Sequence, residues 1–408
     1  MKDNNVPKDR LKVSKFKLNS LLDITLSINA NLPTEDLLSK YENILRDNLR
    51  IDKILILKRS VNWECILNGG FPKHFETIDV ESSLLQFTEI AFLTPDLGFE
   101  GVDIIIPVYN NNVPLAYVFI GDIEEEGEGM SPVLKHLNFI QTLSSIIIVA
   151  IENIRLFNES LLQEALKKEL ELASRMQMML IPDNAHMPKN SHLIVNGFYY
   201  PHYEVGGDYY DCIRLSESKT VFCIADVSGK GISAAILMSN FQASLRALLT
   251  PDINLELLIH KLNGIVVINA AGEKFLTFFI ARYDHETGVL EYINAAHNPP
   301  VIYNTVTKEV QHLEAVCVGI GMLDEIPVVT KSEIVIKDYS KIVCYTDGLS
   351  ELKGDDGEDI GTEVIIKHIS NNKPVETNMR NMIKELGLPD DNPSTFDDVS
   401  IIVADIIR

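Results

Sequence analysis

The run TVFCIADVSGKGISAAILM, residues 220–238, changes character twice in a short distance. TVFCIA is β-branched, aromatic and apolar on both faces, as in a strand covered on both sides. It stops at Asp226. SGKG follows, a loop of small residues around one lysine. ISAAILM then resumes at helical spacing. An ionised carboxylate at the edge of an apolar core is costly unless it is paired or bound to a cation. Taken singly, Asp226 reads as a cap for the helix beginning near residue 231, and Asp347-Gly348 as a plain turn. Recurrence changes that reading. KIVCYTD ends in Asp347, and FDD sets Asp397 and Asp398 just before the last strand-like run, VSIIVADII. In GGDYYD a double glycine precedes Asp208, and Asp211 follows. Each site is flanked by glycine or another small residue, with few Lys or Arg nearby. Converging carboxylates with adjacent backbone oxygens form the ligand set of hard cations such as Mg²⁺ or Mn²⁺.

Composition narrows the classes. The chain has 408 residues, 46% of them apolar, which suits two or three globular domains. Its formal charge of -22 opposes nucleic acid and anionic lipid as partners and favours divalent cations. Cys65, Cys212, Cys223, Cys317 and Cys344 are scattered and form no CxxC pair, as expected of thiols in a reducing compartment. The polar start, MKDNNVPKDRLKVSK, does not read as a secretory signal. The longest apolar run, IIIVAI, is far short of the roughly 20 residues a bilayer span needs. The expected location is the cytoplasm. No HExxH, GxSxG or Walker loop occurs, so zinc hydrolysis, a serine nucleophile elbow and P-loop chemistry find no footing.

The spacing predicts helix over 16–31, then a second helix with Thr34 as its N-cap. Strands follow at 53–58, 102–109 and 115–123, the last two joined by a hairpin turn in NNNVP. Ser131-Pro opens another helix. This pattern describes one α+β domain over 1–150. Residues 151–188 read as a helical linker: Leu166, Leu170, Ala173, Gln177 and Leu180 follow the 4-3-4 spacing of a two-stranded coiled coil, and Pro182 ends it. The alternative is a solvated helix packed on its own domain. From 189 to 408 strand-like runs dominate, with helices at 233–249 and 252–271.

Six motifs in order, GGDYYD, ADVSGKGISAAILM, FLTFFIARYD, LEYINAAHNPPVIY, YTDGLSEL and FDDVS, resemble the metal-dependent protein phosphatase (PPM) superfamily, specifically its bacterial SpoIIE/RsbU-type serine phosphatase branch. ELASRMQMMLIPDN resembles the helix preceding that domain. AIENIRLFNESL and NNVPLAYVFIGD resemble the exit helix and hairpin of a GAF sensor domain. The resemblance implies an α-β-β-α sandwich with a centre for two divalent cations, Mn²⁺ or Mg²⁺. Its ligands would be Asp208, Asp226, the carbonyl of Val227, Asp347 and Asp397, with Asp398 beside them. Asp211 and Asp398 either bind ions or brace the other ligands. Lys230 either steers a phosphate or faces solvent, and His297 is either an active-site group or a structural hydrogen-bonding one. Where the family commonly has NAGH, Ala296 replaces the glycine, which strains the chain if φ is positive there. The implied activity is serine/threonine phosphatase, regulated by the GAF domain, in a homodimer joined through the linker and GAF domain. The implied substrate is a phosphoserine on a STAS-type anti-sigma-factor antagonist. Two rivals stand beside it. One is a catalytically silent scaffold of the same fold. The other is a GAF-linked nucleotide cyclase, whose motif needs an acidic residue straight after GGD, where Tyr209 and Tyr210 stand.

Overall fold

The computed structural model describes residues 6–94, 99–121, 132–202, 205–353, 359–388 and 397–407. Ser131 and Phe396, both named in the motifs above, lie outside them. The chain divides into two compact units, Met1–Glu164 and Ala165–Arg408.

In the first unit, helices α1 (Val6–Asn29) and α2 (Thr34–Asn43) precede strands β1 (Lys53–Arg59) and β2 (Trp63–Gly69). Short helix α3 (Val80–Ser83) leads to β3 (Ala91–Phe92), β4 (Ile104–Asn110) and β5 (Val113–Gly121), and then comes α4 (Pro132–Met178), whose residues from Ala165 on belong to the second unit. The strands form one antiparallel sheet in the order β2-β1-β5-β4-β3. Alternation divides it cleanly. Ile54, Ile56, Ile106, Val118 and Ile120 pack with Ile24, Leu37, Tyr41, Ile140 and Leu143 of α1, α2 and α4. Leu55, Leu57, Ile105, Tyr117 and Phe119 pack with Phe71 and Phe75 on the other face. The expected hairpin is present. Asn110 pairs with Val113, and Asn111 and Asn112 take φ of 46° and 68°, as a two-residue type I′ turn requires.

Two expectations fail locally. Thr34 is not a cap: Pro33 holds that position, with no side-chain hydrogen bond, and Thr34 is the first helical residue. Helix α4 also starts well before 151 and stops at Met178, so Leu180 lies in the turns that follow it. Pro182 disfavours helix in the residue before it, and the chain leaves the helix ahead of that point. By length and composition alone, His136–Met178 passes for a membrane span. Its apolar residues Ile140, Leu143, Ile147 and Ile148 are instead buried in the domain core.

The second unit is a sandwich of two five-stranded antiparallel sheets. One holds β7 (Tyr209–Arg214), β8 (Lys219–Val227), β9 (Leu276–Asp284), β10 (Val289–Ala295) and β13 (Ser332–Val335). The other holds β6 (Leu193–Tyr200), β11 (Val301–Asn304), β12 (Val310–His312), β14 (Ser340–Tyr345) and β15 (Val399–Ile406). Helices α5 (Ile232–Leu248) and α6 (Leu255–Ala270) cover the first sheet, and their residues share its core cluster. The short α7 (Asp347–Ser350), then α8 (Glu363–Ile369) and α9 (Val375–Glu385), cover the second. In β15, Ile402, Ala404 and Ile406 face the other sheet, while Val399, Ile401 and Val403 face α8 and α9. That two-sided burial explains the unbroken apolar run VSIIVADII. Phe241 of α5 meets Tyr209 and Phe278 edge-on, at ring-centroid distances of 6.5 and 5.0 Å. Each such pair contributes about 1 kcal/mol beyond its buried area.

Helices α8 and α9 and strands β7 and β12 go beyond the sequence reading. Strand β7 was hidden by its own composition, YYDCIR. Its central aspartate is tolerable in a buried strand only because a distant arginine neutralises it.

Candidate metal centre

Register brings the acids to one rim. Tyr209 pairs with Ala225, so Asp208, just before β7, stands level with Asp226, the next-to-last residue of β8. Tyr345 pairs with Ile401, so Asp347, which opens α7, stands level with the start of β15, which Asp397 and Asp398 precede. Two of the four carboxylate positions thus open strands rather than close them.

The glycines around Asp208 are there for clearance. A Cβ on Gly206 would lie 2.0 Å from Tyr199 Oη and 2.2 Å from Asp398 Oδ2, and one on Gly207 would lie 3.0 Å from the Val227 carbonyl oxygen. The SGKG loop needs its glycines for a different reason. Gly229 and Gly231 have φ of 78° and 79°, where a side chain would be strained, and this lets β8 turn directly into α5.

Charge defines the rim. Burial, then the charges of Asp226 and Asp398, push the Asp208 carboxyl well above the usual carboxylate range. Burial, then Asp347, Asp397 and Asp398, push Asp226 up to about 7. Burial and Asp397 raise Asp347, which Lys230 partly offsets. Asp398 is raised chiefly by burial, although both its oxygens accept backbone amides, from His202 at 2.9 Å and Gly207 at 2.7 Å. That makes Asp398 a brace for the glycine loop. Lys230 Nζ lies 3.0 Å from Asp397 Oδ2, and both side chains stay more than a third exposed, so the lysine borders the acids and solvent alike. Among the described residues, no three acidic, His or Cys side chains close around a single point.

Asp211 stands apart from this group. It is fully buried on β7 and takes Arg246 Nε and Nη2 at 2.7 and 3.0 Å, together with the Tyr209 hydroxyl. It is a structural ion pair with α5. His297 is also buried, and its Nδ1 shares a 2.8 Å hydrogen bond with Thr277 Oγ1. Burial pushes its pKa down to about 4, offset a little by the Tyr345 backbone, so the ring is neutral at physiological pH. Ala296 has φ of 54°, the left-handed conformation in which alanine is strained.

Two site residues were missed in the sequence. Thr346, fully buried, donates from Oγ1 to Asp208 Oδ2 at 2.8 Å and accepts from Ser400 N–H at 2.9 Å. Its only signal was its place beside Asp347. Gln177, read as a coiled-coil position, is buried and hydrogen-bonded to the Gly206 backbone. A glutamine where the spacing called for leucine was the available signal.

The donor set of carboxylates and one strand-end carbonyl is hard oxygen, and its members raise one another's proton affinity. A site with those properties fits a hard divalent cation.

The profile of the family described as Stage II sporulation protein E (SpoIIE) matches residues 216–407. Phosphoserine phosphatase RsbU of Bacillus subtilis (strain 168) is 28% identical over 196 residues, covering 48% of this chain and 57% of RsbU. Phosphoserine phosphatase RsbP of the same organism is 25% identical over 189 residues, covering 45% of this chain and 46% of RsbP. The chain spans about half the length of these curated relatives. The solved SiaA-PP2C domain of Pseudomonas aeruginosa shares the fold, with a TM-score of 0.51 and 18% identity, over 60% of this chain and 98% of that one. The SpoIIE profile match thus falls in the second unit of this chain.

Proposed function

We propose that this protein is a metal-dependent protein serine/threonine phosphatase. The observation that carries the reading is the rim itself: Asp208, Asp226, Asp347 and Asp397 are gathered from four chain segments, with Lys230 as the cation beside them. Asp208, Asp226, Asp347, Asp397 and the Val227 carbonyl would hold two divalent cations, Mn²⁺ or Mg²⁺. When bound, such ions lower the pKa of water and neutralise charge on a phosphoryl group. The chain's own residues do the rest. Asp398 pins the glycine loop, Thr346 orients Asp208, and Lys230 offers a positive charge to an incoming phosphate. His297, neutral and buried, leaves proton transfer to other groups.

The likeness to two proteins named phosphoserine phosphatases supports phosphoserine as the substrate group. A STAS-type anti-sigma-factor antagonist is the substrate we propose. We assign the first unit as a GAF-like sensor that regulates the phosphatase, in a homodimer through that unit and α4. Free thiols at Cys212, Cys223 and Cys344, all buried, support a cytoplasmic setting.

Asp226→Asn and Asp347→Asn are expected to lower Mn²⁺-dependent hydrolysis of p-nitrophenyl phosphate by about a thousandfold, several kcal/mol of charge stabilisation, with the circular dichroism spectrum unchanged. Native turnover in both variants would falsify the assignment. The silent-scaffold reading draws on one observation, the absence of three side chains closing on one point among the described residues. Calorimetric titration with Mn²⁺ separates the two, since a scaffold takes up no heat.

A further inference from the structure

Gln177 is the next-to-last residue of α4 and is 8% exposed. Its amide holds Gly206 from both sides. Nε2 donates to the Gly206 carbonyl at 2.6 Å, and the Gly206 N–H donates to Oε1 at 3.2 Å. Gly206 lies outside the strands, so these bonds supply the pairing that a buried backbone requires. The chain beyond it is a short relay. Gly207 N–H donates to Asp398 Oδ2 at 2.7 Å, and the next residue is Asp208, held by Thr346. No side chain on Gly206 is able to take over the work, because a Cβ there would meet Tyr199 and Asp398.

We propose that Gln177 is a positioning residue for Asp208. The last turn of α4 sets where the glycine loop sits, and so how well Asp208 receives a divalent cation. The proposal rests on the metal-centre reading above. A Gln177 that merely filled space would affect thermal stability and leave cation affinity untouched. As a positioning residue it affects cation affinity more than global stability, because the loop shifts to rehydrate its two orphaned backbone groups.

The test uses the full chain with Gln177→Met, which keeps the length and loses both hydrogen bonds. Mn²⁺ affinity is read by calorimetry, p-nitrophenyl phosphate turnover is followed against Mn²⁺ concentration, and amide exchange is followed over 205–209. The expected result is an Mn²⁺ affinity weakened about tenfold, as for other residues that orient metal ligands. Saturating Mn²⁺ restores kcat, and exchange quickens over 205–209 but not in β8 or β15. Should Gln177→Met fail to fold, Gln177→Glu carries the same test, since it keeps the acceptor and turns a carboxylate on the Gly206 carbonyl. An affinity within about twofold of native overturns the proposal, whatever the exchange shows. An unmodified chain that binds no Mn²⁺ overturns the metal centre and this proposal together, whereas native-like binding in the variant overturns the proposal alone.

Discussion

Asp208 and Asp211 stand three residues apart, one just before β7 and one within it, and both are buried, at 2% and 0% exposure. Their surroundings are opposite. Asp211 meets the Arg246 guanidinium through two hydrogen bonds. Asp208 meets a threonine hydroxyl and, nearby, the carboxylates of Asp226 and Asp398. The same side chain at nearly the same depth is thus neutralised in one place and left in a field of like charge in the other. Burial does not separate a structural aspartate from one we assign to a metal centre. The sign of the nearest charge does.

That contrast is open to test from both ends. Asp211→Asn removes the counterion of Arg246. Breaking a fully buried pair costs 3–5 kcal/mol, but Arg246 is 48% exposed and recovers water, so we expect a loss of about 2 kcal/mol in urea unfolding. Mn²⁺ affinity should stay unchanged; a drop would place Asp211 in the metal centre after all.

An effect of similar size concerns pH. The folded-state pKa of Asp226, up to about 7, lies above the unfolded value near 4, so the metal-free folded state binds the extra proton between those limits. Stability is fully present below the unfolded pKa and falls as pH rises through the window. In EDTA, the chain should be more stable at pH 5.5 than at pH 7.5, by about 2 kcal/mol. Saturating Mn²⁺ should reverse the slope, because protons then compete with the ion. A flat metal-free profile would remove the like-charge half of the comparison.

The smallest effect is at Ala296. Ala296→Gly relieves a left-handed alanine and should stabilise the fold by about 0.5–1 kcal/mol in thermal melts, with kcat unchanged. A lost rate would mean that strain at this turn serves the site.

Much of this was written in local pattern. Asn111-Asn112 between alternating apolar runs specified a hairpin, and the strand ends at Asp226 and Asp347 specified a rim. Helices α8 and α9 were harder to read, since α9 shows only Val375, Met379 and Met382 as its buried apolar stripe. The partners that give each aspartate its role were illegible, because Arg246 is 35 residues from Asp211 and Thr346 is 138 from Asp208. Such pairings exist only once the sheets have closed. Thr34 failed as a cap for a nearer reason: Pro33 already occupied the position.

Thr346 has a single hydroxyl proton. Ser400 N–H occupies one of its oxygen lone pairs, so that proton points at Asp208 Oδ2. The backbone at the start of β15 thus holds the oxygen, and Asp208 Oδ2 at 2.8 Å is a nearer acceptor for the proton than the Asp398 carbonyl at 3.4 Å. With Asp208 ionised, that hydroxyl occupies one lone pair of Oδ2, and the side chain that places it there carries no charge of its own.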